Sequence, residues 1–333
     1  MTTADGERTL SLSESVPPLR EWLTTFLVGL CMGTADAVPG VSGGTIALIA
    51  GVYERLIAGV SAVTPSRVGG FLRALAPVDG GIDVDRAIGI FDEVDGWFLL
   101  ALLVGIVAAL VTVTGVVDWA DERYPVLLFG VFFGLIGASA VILLRAISIR
   151  RADEIAAAVA GFAAAFVAAG QASLLGGGGL ALVFVGGALA VSAMILPGLS
   201  GALILVILGQ YTRMSETLHA FIDALGAAVT GGATADLVDH GTVVVTFVLG
   251  GLVGLFTIAR VVRRALDANR GATLSFLVAL VVGALRAPVD RIGTRGIAWT
   301  TDTIVAFAAA AAVGAAVVLV LDYFAVDIDL ETA

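Results

Sequence analysis

The stretch Pro39–Leu56, PGVSGGTIALIAGVYERL, lies in an apolar region yet carries a proline, four glycines, a serine, a threonine, a glutamate and an arginine. A second stretch, Pro197–Met214, reads PGLSGALILVILGQYTRM. Aligning Pro39 with Pro197 pairs Gly40 with Gly198, Ser42 with Ser200 and Gly43 with Gly201. It also pairs Gly51 with Gly209, Tyr53 with Tyr211 and Arg55 with Arg213. The same device occurs twice, and the fold is built around it.

The surroundings are those of a lipid-embedded chain. Of 333 residues, 59% are hydrophobic and 14% charged, with a mean hydropathy of +1.04. A soluble domain has about 25% charged residues, so the composition is that of a polytopic membrane protein. The net charge of −10 argues against a nucleic-acid partner, since phosphate backbones need a basic surface. Every basic residue is Arg, a pattern matching a high-salt cytoplasm or a GC-rich genome. The single cysteine, Cys31, permits no internal disulfide and no Cys-rich metal site. The first apolar run starts only at Trp22, with no cleavage pattern behind it, so residues 1–21 are expected to be a disordered cytoplasmic tail.

About 20 apolar residues cross a bilayer core. Six runs fit: Trp97–Val117, Pro125–Leu144, Ile155–Leu175, Thr242–Val262, Gly271–Leu285 and Thr303–Leu321. Two further regions are broken at the Pro-Gly-x-Ser-Gly turn and are expected to be helical hairpins, over 22–63 and 180–211. The predicted fold is all-α: two inverted repeats, each a broken or re-entrant hairpin followed by three spans. The first repeat covers 22–175 with a polar loop at 64–96. The second covers 176–325 with a polar loop at 212–241, and an acidic tail follows at 326–333. Each copy has an odd number of crossings, so consecutive copies must lie in opposite orientations. With the N-terminus inside, twelve arginines fall on inner segments and four (Arg123, Arg286, Arg291, Arg295) on outer ones. That bias puts both termini in the cytoplasm of a plasma-membrane protein. His219 and His240 are expected to be solvated residues of the outer loop.

Irregular backbone at membrane depth persists only when buried in protein or lining a wet cavity. Pro39 and Pro197 end the first arm of each hairpin, and Gly40 and Gly198 take the turn. Ser42 and Ser200 are suitable N-caps for the second arm. A helix N-terminus aimed inward attracts an anion, and glycines let it approach the backbone. The candidate ligands are Ser42, Gly43, Gly44, Thr45, Ser200 and Gly201. Arg55 and Arg213 each follow their serine by 13 residues, about 20 Å along an unbroken helix. They read equally as phosphate-binding groups and as interfacial anchors, with Tyr53 and Tyr211 as belt residues. Asp36, and beside it Glu54, are candidates for binding a coupling proton or Na⁺. Asp36 could equally cap the second arm. No other cofactor, no metal and no catalytic residue is expected.

Together ADAVPGVSGGTIALIAGVYERLI and LPGLSGALILVILGQYTRM resemble the family catalogued as domain of unknown function 368, over about residues 22–325. Some of its members are described as PopT-like polyprenyl-phosphate transporters. The resemblance implies a flippase that returns undecaprenyl phosphate, or a dolichyl-type phosphate in an archaeon, to the cytoplasmic leaflet for reuse in cell-surface glycan synthesis. The family motif falls on Asp36, Pro39, Gly40, Ser42, Gly43, Gly44, Thr45, Gly51, Tyr53, Glu54 and Arg55. In the second copy it falls on Pro197, Gly198, Ser200, Gly201, Gly209, Tyr211 and Arg213, with Ala202 where the first copy has Gly44. The rival readings are an ion-coupled transporter of a small soluble anion and a membrane polyprenyl-pyrophosphate phosphatase. The phosphatase would need a catalytic histidine or a metal-binding cluster of carboxylates, whereas both histidines fall in a predicted loop and Asp36 and Glu54 are the only acids near the motifs.

Overall fold

Long apolar runs with small residues at helical spacing favour close-packed helices, and the computed structural model is helical throughout the residues it describes, 16–76, 83–171, 179–194, 200–231 and 234–331. In chain order the helices are α1 (Leu19–Ala37), α2 (Gly43–Ile49), α3 (Tyr53–Ala62), α4 (Pro65–Leu75) and α5 (Val84–Glu93). Next come α6 (Gly96–Arg123), α7 (Pro125–Ala146), α8 (Ala152–Gly170), α9 (Leu180–Ala193) and α10 (Gly201–Ile207). The last five are α11 (Tyr211–Val229), α12 (Ala235–Ala268), α13 (Arg270–Ala284), α14 (Arg286–Thr294) and α15 (Thr301–Glu331). Among the described residues six stretches are long and apolar enough to cross a membrane, α6, α7, α8, α12, α13 with α14, and α15 as far as Phe324, and the bent pair α2 and α3 would make a seventh. The six coincide with the six apolar runs.

Two compact units are present. One comprises Met1–Gly33 and Ile46–Ala109, the other Thr34–Thr45 and Leu110–Ala333. In the first, Met32, Ala47, Phe98 and Leu102 form a small core. In the second, the core runs through α7, α10 and α13, with Phe132, Leu135, Ile136, Leu203, Ile207 and Val281 at its centre.

Glycines set the helix pairings. In lipid there is no hydrophobic drive between helices, so small residues that let backbones approach hold the pairs together. A Cβ on Gly29 would strike the carbonyl oxygen of Leu102, and one on Gly105 that of Phe26, so α1 and α6 touch backbone to backbone. Gly187 lies on Phe247 and Gly250 on Phe184 in the same way, between α9 and α12. The correspondence is positional. Phe26 and Gly29 precede Phe184 and Gly187 by 158 residues, the interval between Pro39 and Pro197. Leu102 and Gly105 precede Phe247 and Gly250 by 145. The remaining long helices pair crosswise between the halves. Gly130, Gly134 and Gly314 join α7 to α15, and Gly161 and Gly283 join α8 to α13.

The two stretches read as polar loops, 64–96 and 212–241, are largely helical. Thr64 accepts the Arg67 N–H with Pro65 in the first turn, which starts α4, and Asp83 accepts the Arg86 N–H to start α5. Phe71 and Phe91 then stack across the pair with centroids 6.1 Å apart. Over 212–229 the charges Glu216, His219 and Asp223 recur at helical spacing on α11. His219 is therefore a helical residue, not a loop residue, and lies against Gly115. His240 is likewise helical, on α12. At the ends, α1 begins at Leu19, inside the predicted tail, and α15 continues to Glu331. Residues 1–15 lie outside the described residues, as do Pro197 and Gly198 of the second turn.

Candidate functional site

An α-helix leaves its last carbonyls without intrahelical partners, and in an apolar interior each must find a donor. At the end of α1 and in the turn behind it, three carbonyls, those of Ala37, Val38 and Gly40, meet hydroxyl groups. Tyr211 Oη donates to the Ala37 carbonyl oxygen. Ser200 Oγ donates to Val38 O at 3.4 Å. Ser139 Oγ stands 2.6 Å from Gly40 O and 2.9 Å from Leu135 O, with one proton to give between them. Ser200 and Tyr211 come from the second motif and Ser139 from α7. Ser200 and Tyr211 of the second motif thus donate to the end of α1 and the first turn, where Val38 O also accepts the Val41 N–H at 3.4 Å.

Burial seals this junction. Ser200 is 2% and Tyr211 8% exposed, and the Tyr211 ring meets Phe132 edge-on at 5.4 Å. Gly40 has φ +91°, and a Cβ there would stand 3.0 Å from the carbonyl carbon and oxygen of Leu135. Only glycine suits that conformation and that contact.

The N-terminus of α2 is capped by Asp36, whose Oδ1 accepts the Gly43 N–H at 2.7 Å. This is the capping role left open for that residue. Ser200 occupies the N-cap position of α10, but its hydroxyl makes no cap and reaches Val38 instead. The position equivalent to Asp36 is Met194, whose thioether lies beside Gly201, so the two copies differ in charge at the same place. Ser42, Gly44 and Thr45 are half-buried around the first turn, while Gly43 is buried.

The second arms are not single helices. α2 and α10 each stop after seven residues. Gly51 (φ +68°) and Gly209 (φ +64°) close them with the same pair of bonds. Val52 N–H reaches Ala47 O and Gly51 N–H reaches Leu48 O; Gln210 N–H reaches Leu205 O and Gly209 N–H reaches Val206 O. This is the Schellman termination, with glycine in the left-handed position. In the first copy the chain then bends by 118° into α3. The 20 Å reach expected of Arg55 and Arg213 along one helix therefore does not apply.

Arg55 begins a different helix and is engaged there. Its guanidinium donates to both oxygens of Asp95 and to Glu21 Oε1 at 3.2 Å, and stacks over Phe98 at 4.3 Å. Tyr53 and Glu54 are exposed in the first turn of α3, whereas Tyr211 is buried, so only Tyr53 has the exposure of an interfacial residue. Arg213 is half-buried in the first turn of α11.

A charged group that the motifs did not point to lies where α6, α11 and α14 meet. Asp121, its side chain 7% exposed, pairs with Arg295 Nη2 at 2.6 Å. Arg295 Nη1 also donates to Asp121 O at 3.0 Å. Arg291 donates to the hydroxyl of Thr212, and Ser215 Oγ to Thr114 O at 3.3 Å. One carboxylate oxygen of Asp118 and one of Asp121 are buried without a hydrogen-bond partner. The signal existed in sequence: Asp118 and Asp121 are three apart and Arg291 and Arg295 four apart, helical spacings that put each pair on one face. Two arginines read as outer-loop charges concealed it. Arg291 also lines a cavity of about 370 Å³, together with Gly170, Val206, Asp290, Thr294 and Trp299.

Residues 32–305 match the model of a family described as VCA0040-like, undecaprenyl phosphate translocase-like. A curated protein of Vibrio cholerae serotype O1 named polyprenyl-phosphate transporter is 32% identical to the chain over 264 residues, covering 79% of this chain and 76% of that protein. No solved structure matches the chain. The chain belongs to the undecaprenyl phosphate translocase-like family and is a multi-pass membrane protein.

Proposed function

We propose that this member of the family is a flippase that carries a polyprenyl phosphate between leaflets, its headgroup passing beside the first turn and its tail remaining in lipid. The observation that carries the reading is the set of hydroxyls at that turn, those of Tyr211, Ser200 and Ser139 on the carbonyls of Ala37, Val38 and Gly40. In this arrangement the hydroxyls are buried and spent on carbonyls, and a passing phosphate would draw them off as donors in place of water. Such a carrier fits the reuse of undecaprenyl or dolichyl phosphate in cell-surface glycan synthesis at the plasma membrane. The ligands are drawn from Ser42, Gly43, Gly44, Thr45, Ser200 and Gly201.

The two halves are, in this reading, inverted repeats. A two-fold relation that exchanges α7 with α13 and α8 with α15 turns the α7·α15 pair into the α13·α8 pair. The glycine contacts run through those two pairings, Gly314 on Val131 answering to Gly161 on Phe276. With both termini cytoplasmic, the two turns would enter the membrane from opposite faces.

Translocation in proteoliposomes tests the function. The purified chain is expected to move a fluorescent polyprenyl phosphate between leaflets while taking up no inorganic phosphate and releasing none from polyprenyl pyrophosphate. Uptake of inorganic phosphate without lipid movement would favour the soluble-anion transporter, and phosphate release would favour the phosphatase.

A further inference from the structure

The cavity beside α14 and the charged group share Arg291. Arg295 follows it by four residues, at the C-cap of α14. Arg291 faces the cavity and is held only by a neutral hydroxyl, that of Thr212, among its described hydrogen bonds. Asp290, also at the cavity, is already paired with Arg286 at 2.7 Å. Trp299 and Val206 give the cavity an apolar side, and Thr294 a hydroxyl. An arginine with a hydroxyl and an apolar wall, and a second arginine four residues on, fit a phosphomonoester on a hydrocarbon chain.

Asp121 is the resting counter-ion of that pair, and it is incompletely satisfied. Its Oδ2 is on Arg295 and its Oδ1 is buried without a donor. A buried carboxylate oxygen left without a hydrogen bond is costly and is relieved by a proton. The charged and titratable groups around it are Asp118 and Glu122 on its own helix, Glu216 and His219 on α11, Arg291 on α14 and Arg295 at its C-cap. Four carboxylates thus face two arginines. A phosphate cannot join such a group without taking a carboxylate's place or bringing protons with it.

We infer that Arg291 and Arg295 form a phosphate-headgroup site whose resting counter-ion is Asp121, and that an arriving headgroup takes the place of Asp121 on Arg295 as the freed carboxylate binds a proton from water. The inference rests on the proposed transport of a lipid phosphate and extends it to a second site and a coupled ion. The exchange balances: one arginine–carboxylate contact is replaced by one arginine–phosphate contact, and the carboxylate and a proton become a carboxylic acid. It also assigns proton coupling to Asp121 rather than to Asp36, which is engaged on the backbone of α2.

Binding of farnesyl phosphate to the detergent-purified protein, followed by calorimetry in two buffers of different ionisation enthalpy, tests this. The parent is expected to take up about one proton per ligand bound and to bind more weakly as pH rises. Arg291→Gln and Arg295→Gln should each weaken binding at least tenfold. Asp121→Asn should bind without proton uptake, and Asp121→Glu should restore it. Farnesol should not bind. Arg291→Gln breaks no ion pair with a carboxylate and so separates binding from folding. The inference is overturned if the parent binds no farnesyl phosphate, if Arg291→Gln binds as the parent does, or if proton uptake survives in a folded Asp121→Asn variant. Lipid translocation by the same preparations answers the transport reading separately: variants that bind normally in a protein that moves the lipid overturn this site and leave the function standing.

Discussion

At the residue scale, the fold depends on hydroxyl groups placed against freed carbonyls. Tyr211→Phe removes the donor to Ala37 O and leaves a buried acceptor unpaired, a loss of about 1–3 kcal/mol, readable as a lower unfolding temperature in detergent. Gly40→Ala meets two obstacles, a left-handed backbone and the Leu135 carbonyl. The first alone costs about 1–2 kcal/mol, and the same thermal measurement should show at least that. Pro39, Gly40 and Ser42 were legible as a turn because no continuous helix accommodates them. Ser139 was not, because a lone serine in an apolar helix has many uses and its partner lies 99 residues away. The role of Ser200 was misread for the same reason: local rules predict a cap, but a carbonyl from the other turn competes for its hydroxyl.

At the element scale, the breaks after α2 and α10 decide where the motif arginines sit. Both depend on a glycine with positive φ. Gly51→Ala has free space around it, so its expected cost of about 1–2 kcal/mol is conformational alone. The pairing of Gly51 with Gly209 was visible in the sequence, but its meaning as a helix end was not, since isolated glycines are common in membrane helices. Helix pairing follows different physics. A side chain at Gly134 would coincide with the Ala311 carbonyl, so Gly134→Leu is expected to force α7 and α15 apart and abolish the folded monodisperse species on size exclusion. Arg55, by contrast, sits in an ion pair with both partners partly exposed. Its replacement by Gln should cost no more than about 1 kcal/mol. Lost translocation in a folded Arg55→Gln protein would then report on transport rather than stability.

At the scale of the whole molecule, the order of hairpins and spans followed from the apolar runs and the repeated turn, and the six long helices fall where those runs predict. Amphipathic helices α4, α5 and α11 were hidden because their polar faces lower the average hydropathy that marks a span. The charged group of Asp121, Arg291 and Arg295 was hidden because Asp121 on α6 and the arginines at α14 lie far apart in the chain. A headgroup that passes between the first turn and Ser200 of the second motif is stopped by a reversible lock across them. Ser200 Oγ lies 3.4 Å from Val38 O there, and cysteines would be placed at both positions in a Cys31→Ser background and oxidised, with disulfide formation verified before transport is read. Leaflet-resolved translocation of a fluorescent polyprenyl phosphate would be measured before oxidation, after it, and after reduction. The account predicts movement in the reduced protein, arrest on oxidation and recovery on reduction. Quantitatively cross-linked protein that moves the lipid at the reduced protein's rate would contradict it.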